Sequence, residues 1–462
     1  MGRKIIYETF KSKLGLFFAT TGCAVGIGNL WVFPYRVGTE GYGMFILIYV
    51  LLAFAVGLPL MISEFLIGKN AKNNSVTRMF RKIPTNNEKQ AKNFGVIGIM
   101  TCVTAIFFAM IYSVVASWSF EYLLKGLTSG YGEFSKGTEY AVVYYNALIN
   151  DFSRSSIYSI TFILIAIGIS TFGVSSGIER FSKVFMPLIT IILIFLAVYG
   201  IVAGDVVQTM NFLKPDISTI TSNENGIIRV FVAALGQVFF SLSLGFGAMI
   251  TYASYMNKNT KVIGISAQIV IFDTVVSLLA VFAMFSVMIS QTGTIDTNAG
   301  LVFNALIVFF ANFSFGRILG VLTFALLLIA ALTSILALVE TVISAITDGR
   351  KSKRKVAVFI VGIIIIVGNI FTQPAFGISI SFLAEYGEGI INQLNVIILN
   401  VCVPIITLLT AIFVGFRMKK ELILQEFKIK GLGNIFYQYI RYGIPLIIFI
   451  VFLGGIYDIF VR

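Results

Sequence analysis

Apolar positions in this chain run on without the two-residue alternation of a half-buried strand or the one-faced stripe of an amphipathic helix. Eleven such runs can be marked, at 13–36, 41–67, 94–124, 157–172, 180–203, 228–255, 263–290, 317–347, 356–371, 389–415 and 439–459. Most reach the ~20 residues a helix needs to cross the hydrocarbon core of a bilayer. A membrane barrel has ~10-residue alternating segments instead. The pattern therefore predicts an all-α integral membrane protein with about eleven transmembrane helices. Composition agrees: of 462 residues 58% are hydrophobic and 12% charged, where a soluble domain carries roughly 25% charged residues.

The basic residues set the orientation. The 68–93 loop holds Lys69, Lys72, Arg78, Arg81, Lys82, Lys89 and Lys92 against Glu88. Arg350, Lys351, Lys353, Arg354 and Lys355 follow the eighth run, and Arg417, Lys419, Lys420, Lys428 and Lys430 precede the eleventh. The alternate loops 125–156 and 204–227 are mixed or acidic. Basic loops stay in the cytoplasm, so the expectation is a multi-pass protein of the cell membrane. Residues 1–12 form a cytoplasmic N-terminal segment without a signal-cleavage site, and the C-terminus is extracytoplasmic. These loops account for the net charge of +13, so no nucleic-acid partner is expected. Cys23, Cys102 and Cys402 all fall inside predicted spans and imply no disulfide framework. The absence of histidine removes imidazole proton relays and the usual imidazole metal ligands.

Two runs are interrupted in the middle. Gly22–Leu30 reads GCAVGIGNL, and Phe239–Tyr255 reads FFSLSLGFGAMITYASY. Glycine in a membrane helix serves either close helix packing or a local break, whose freed backbone groups then need protein, water or a ligand. Here the glycines are accompanied by Asn29, Ser241 and Ser243, and they occupy the first and sixth spans. Interrupted helices at matching positions of two five-helix halves, 13–203 and 228–415, indicate an inverted-repeat secondary transporter, with 439–459 an added helix. Such breaks put helix ends and free backbone groups at the bilayer midplane, where they bind an anionic group and hard cations.

The segments KLGLFFATTGCAVGIGNLWVFPY and GQVFFSLSLGFGAMITYASY closely resemble the first and sixth helices of the neurotransmitter:sodium symporters, and the likeness extends over helices one to ten. The resemblance implies the LeuT fold, the type example of this architecture. It further implies two Na⁺ sites. The second would use the carbonyls of Gly22, Val25 and Ala330 with the hydroxyls of Thr333 and Ser334, from IAALTSILALVE; the competing role for those hydroxyls is a bond back to their own helix. The first would use the Ala24 carbonyl, Asn29, Ser241, Asp273 and the carboxylate of the substrate. A carboxylate in an apolar span marks function by default. Residues matching the family's chloride position are Tyr49, Gln237, Ser241 and Ser277, and Asp273 would supply the negative charge in place of chloride. Transport is therefore expected not to require chloride.

By the same resemblance the substrate pocket gathers Cys23, Ala24, Gly26, Ile27, Gly28, Phe108, Tyr112, Phe240, Ser241, Ser243, Phe246, Ser334 and Leu338. Monoamine carriers have aspartate where Gly26 stands; glycine leaves room for a substrate carboxylate. The expected cargo is a neutral, hydrophobic or aromatic amino acid. Phe108 either narrows the pocket toward small substrates or stacks on an aromatic one. Two gates depart from the family. The external arginine–aspartate pair is replaced by Val32 and Asn395, with Arg36 a turn away. At the cytoplasmic gate Tyr7 and Phe10 replace an arginine and a tryptophan, and Asp348 is retained with Arg3, Lys4, Arg350 and Lys351 as possible partners. Glu64 and Glu340 would pair with the basic cytoplasmic loops. Sodium-coupled symport by a monomer or homodimer in membrane lipid is the leading expectation. Proton coupling through Asp273, and a non-transporting amino-acid sensor on the same fold, stand as alternatives. A lipid-modifying enzyme lacks a nucleophile or metal-ligand cluster to support it.

Overall fold

The computed structural model describes residues 8–71, 75–85, 92–221, 226–292, 301–348, 353–380, 389–427 and 429–461. Nine helices among these are long and apolar enough to cross a membrane: Tyr42–Asn70, Gly95–Leu127, Phe152–Thr171, Val174–Val202, Val262–Ser286, Gly316–Thr347, Arg354–Phe371, Ile390–Phe416 and Gly431–Tyr457. Lys13–Ala24 and Gly28–Glu40 form one further span bent by 49°. The remaining span is divided into Gly226–Ser241 and Ala248–Ser254. The total is eleven, as the hydrophobic pattern predicts, and the spans are numbered first to eleventh below. Short helices outside them include Val76–Lys82, Thr138–Asn150, Val206–Leu213 and Leu301–Asn312.

Burial separates centre from periphery. The most apolar window of the eighth span is 72% buried, against 28% for the eleventh. The eighth therefore lies inside the bundle, and the eleventh shows most of its surface outward. The third and eighth spans pack extensively on each other, and the inner half of the first packs on the fifth, seventh and eighth.

Local chemistry explains where the broken spans begin and stop. Ser12 caps the first span, its hydroxyl accepting from Gly15 N–H at 2.9 Å. The helix ends at Val25, whose ψ of 104° is extended, and resumes at Gly28. Of the three glycines in this stretch only Gly26 lies in the break. Gly22 and Gly28 serve close packing: a Cβ at Gly22 would stand 3.1 Å from Met186 Sδ and Thr333, and one at Gly28 would stand 3.1 Å from the Phe240 ring. Backbone freedom decides the sixth span, where Ser243, Gly245 and Gly247 adopt φ of 51°, 82° and 72°. Left-handed values cost glycine nothing. Ser243 is held there by its hydroxyl, which donates to Cys23 C=O at 2.9 Å.

The end of the bundle that carries the N-terminus is tied by buried charge. Arg354 bonds Glu340 at 3.0 and 2.5 Å and donates twice to Ser170 C=O. Tyr255 OH donates to the same Glu340 at 2.7 Å. Glu8 lies 3.8 Å from Arg354 and accepts from Val174 N–H. Glu340 thus pairs with the basic loop as expected. Glu64 does not: its Oε1 accepts from Gly245 N–H at 2.8 Å, so it braces the broken sixth span. Asp348 pairs with Arg78 at 2.6 Å, from the loop between the second and third spans; Arg3, Lys4, Tyr7, Arg350 and Lys351 lie outside the described residues.

Removing one partner of a buried ion pair strands the other. Arg354→Met should cost about 3–5 kcal/mol, read as a lower unfolding temperature in detergent. Adding Glu340→Met to it should restore part of the loss; a double variant weaker than the single would contradict this reading of the pair.

Candidate functional site

The two breaks face each other across a small cavity, about 20 Å³ of space for the centre of a water-sized sphere. Cys23, Ala24, Gly26 and Gly28 line it from the first span, Phe108 and Tyr112 from the third, Phe240, Ser243 and Phe246 from the sixth, and Ser334 and Leu338 from the eighth. Eleven of the thirteen pocket residues expected from sequence are thus brought together. Ile27 and Ser241 are not. Ile27 lines the vestibule above and donates its N–H to Tyr112 OH at 3.4 Å. Ser241 turns away toward Asp273.

Freed backbone groups at the breaks have side-chain partners. Gly26 N–H donates to Asn29 Oδ1 at 3.1 Å, and Gln237 Nε2 donates to Gly28 C=O at 2.9 Å. Ser334 Oγ donates toward the carbonyls of Cys23 and Gly22, at 3.2 and 3.4 Å. A Cβ on Gly26 would overlap Ser334 Oγ and come within 3.0 Å of Tyr112 OH.

Asp273 is completely buried. It accepts from Asn29 Nδ2 at 2.7 Å, Ser241 Oγ at 2.7 Å and Tyr49 OH at 3.0 Å. The Asn29 amide also reaches Ser277 Oγ at 2.8 Å. None of the ion pairs among the described residues involves Asp273. A buried carboxylate is costly without a positive partner, so this cluster is electrostatically suited to a cation. Asn29 presents its nitrogen to Asp273 and commits its oxygen to Gly26, the reverse of what ligating a cation beside Asp273 requires. Amide oxygen and nitrogen occupy equivalent positions, and a half-turn of the group exchanges the two roles.

The second group of candidate cation ligands divides. Thr333 Oγ1 donates to Ala330 C=O at 2.8 Å within its own helix, while Ser334 reaches across to the first span. Gly22, Ala330, Thr333 and Ser334 are all buried.

Above the cavity lies a vestibule of about 360 Å³. Phe108, Tyr112 and Phe240 border both spaces and so form the partition between them. Phe108 is the centre of that partition, with ring centroids 5.5 Å from Tyr112, 5.6 Å from Phe240 and 4.9 Å from Phe246. Val32 and Asn395, where the family's external ion pair would be, both line the vestibule. Arg36 lines it too, but donates to Ala233 C=O at 2.6 Å. At the opposite end Phe10 packs edge-on against Tyr252 and Tyr255, and its N–H donates to Tyr255 C=O at 3.0 Å.

Two facing helix breaks inside a polytopic bundle, with a small cavity between them and an aromatic partition separating it from a vestibule, define a secondary transporter of the LeuT fold rather than an enzyme. The sodium:neurotransmitter symporter family model matches residues 7–134 and 132–457, and the chain belongs to that family. It is 31% identical to an uncharacterized sodium-dependent transporter of Haemophilus influenzae, over 97% of this chain and 98% of the relative. It is 27% identical over 60% of its length to the sodium-dependent neutral amino acid transporter B(0)AT2 of Bos taurus, covering 40% of that protein. The crystal structure of MhsT in complex with L-phenylalanine superposes with a TM-score of 0.84 at 30% identity, covering 97% of this chain and 99% of that one.

Asn29 is the node joining the first-span break to Asp273. Asn29→Ala should leave Gly26 N–H and Asp273 short of partners at a cost of about 1–3 kcal/mol. A thermal unfolding curve in detergent that matches wild type would show that water replaces the amide without loss.

Proposed function

We propose that this chain is a Na⁺-coupled symporter carrying neutral L-amino acids, hydrophobic or aromatic, into the cell by alternating access. Its N-terminus is then cytoplasmic and its C-terminus extracytoplasmic, with 13–203 and 228–415 as the two repeats. The observation that carries the reading is Asp273, a buried carboxylate with three neutral donors, beside a helix break. Sodium between Asp273, Ser241, the Ala24 carbonyl and a turned Asn29 amide neutralises that charge, and the substrate carboxylate completes the shell. The second ion is assigned to the carbonyls of Gly22, Val25 and Ala330 with Thr333 and Ser334. The substrate's amino group is assigned to backbone carbonyls of the sixth-span break. Support for an amino acid comes from Gly26, which leaves no side chain where the carboxylate would lie, and from L-phenylalanine in the related MhsT. The apolar lining by Phe108, Phe240, Phe246 and Leu338 supports a neutral, hydrophobic side chain. The cavity's small volume calls for these rings to part when substrate enters.

Coupling is a difference in affinity between two conformations and acts reciprocally between ion and substrate. Uptake of labelled amino acids into proteoliposomes, with an inward Na⁺ gradient against choline at constant pH, tests the whole. Sodium-driven accumulation of phenylalanine or leucine is expected. Accumulation driven by a pH gradient without sodium would move the coupling to H⁺ on Asp273, and saturable binding without accumulation would make the protein a sensor.

Thr333→Ala removes a hydroxyl now bonded within its own helix, so stability should change little while the Na⁺ concentration for half-maximal uptake rises by tenfold or more, on the order of the 1.4 kcal/mol of one good ligand contact. An unchanged sodium response would remove Thr333 from the site. Since Asp273 already supplies the negative charge, replacing chloride by gluconate should leave uptake within about twofold, a difference of under 1 kcal/mol; a sharp fall would restore chloride to the mechanism.

A further inference from the structure

Between the N-terminal half of the first span and the seventh span lies an open groove of about 880 Å³ that shares no lining residue with the transport cavity. Its lining follows one face of the seventh span: Lys261, Ile265, Gln268, Phe272 and Val275 recur at helical spacing. From Lys261 to Val275 the stripe runs about 20 Å at 1.5 Å per residue, a little more than one leaflet of a ~30 Å hydrocarbon core. Lys13 and Lys261, at the N-terminal ends of the first and seventh spans, both line the groove, with Asn259 and Thr260 next to Lys261 in the chain. Apart from Gln268, the lining beyond them is apolar, and the Phe17 and Phe272 rings pack edge-on at 5.7 Å, joining its two walls. Among the described residues neither Lys13 nor Lys261 is within ion-pair distance of an acid. The nearby acids are engaged elsewhere, Glu426 with Lys69 and Val262 N–H, Glu179 with Lys183 and Ser12. A Cβ built at Gly264 would meet nothing within 4 Å, so this position faces open space in the groove and can take a larger side chain.

We infer that this groove is a binding site for an anionic phospholipid. The headgroup phosphate lies between Lys13 and Lys261, and one acyl chain runs down the seventh span past Phe272 to Val275. Charge at the mouth and hydrocarbon below match a lipid at each level. A free anion gains nothing from the apolar stripe, and a zwitterionic lipid brings a cation against two lysines. The site has a mechanical consequence. One of its walls is the short helix that ends at the first-span break, so a seated lipid opposes displacement of that helix toward the seventh span.

The test reads lipid and not transport, so its outcome is separate from the proposed function. Full-length protein is equilibrated in mixed micelles of phosphatidylcholine and phosphatidylglycerol, and retained lipid is counted by native mass spectrometry. One phosphatidylglycerol should be held in preference to phosphatidylcholine. Lys13→Gln with Lys261→Gln should lower that preference on the order of tenfold, from about 1 kcal/mol per basic residue. Gly264→Leu, which keeps both charges and fills the groove, should lower retention of either lipid, while millimolar inorganic phosphate should leave it unchanged. Equal retention by wild type and both variants overturns the site. Displacement by phosphate overturns the lipid assignment in favour of a free-anion site.

Discussion

Backbone polar groups inside a bilayer have no water to fall back on, and the centre of this protein is arranged around that constraint. Two helices are broken where breaking costs most, and the freed groups are met by side chains from other spans. Tyr112 of the third span takes Ile27 N–H, Gln237 of the sixth takes Gly28 C=O, and Glu64 of the second takes Gly245 N–H. Ser243 and Ser334 both point at Cys23 C=O. The breaks therefore draw three other spans, the second, third and eighth, toward one point. What serves the backbone also helps build the cavity, because Tyr112, Ser243 and Ser334 both satisfy it and stand around the cavity.

The two ends of the molecule are closed by different physics. At the end bearing the N-terminus, a buried arginine, two glutamates, a tyrosine and a backbone carbonyl form a connected network. At the other end the partition is three aromatic rings, with Val32 and Asn395 in the vestibule where the family places an ion pair. The charged end holds the stronger directional contacts. The aromatic end, which rests on van der Waals contact, is the one with a vestibule above it.

Much of this was legible in the sequence because membrane helices are written locally. Eleven apolar runs became eleven spans, and eleven pocket residues met around one cavity, since the motifs around Gly26 and Gly245 fix which helix faces turn inward. What the sequence did not disclose depended on contacts between distant residues. Arg78 as the partner of Asp348 required knowing that the loop after the second span folds beneath the eighth. Sequence pairs Glu64 with the basic loops because a buried carboxylate usually seeks a cation; in the structure a backbone amide of a broken helix takes that role. Reading all three first-span glycines as backbone breakers was also too simple, since two of them are needed for contact with Met186, Thr333 and Phe240. The orientation of the Asn29 amide depends on Gly26, Ser241, Asp273 and Ser277 at once, and no local pattern encodes it.

The ring partition over the cavity also has a thermodynamic character. Ion-pair gates are weakened by salt through screening, whereas burial of apolar rings is nearly blind to salt at moderate ionic strength and gains strength on warming from the cold. Closure of this partition should accordingly carry a negative heat-capacity change. The equilibrium between its open and shut forms is then set more by the temperature of the surroundings than by their salinity.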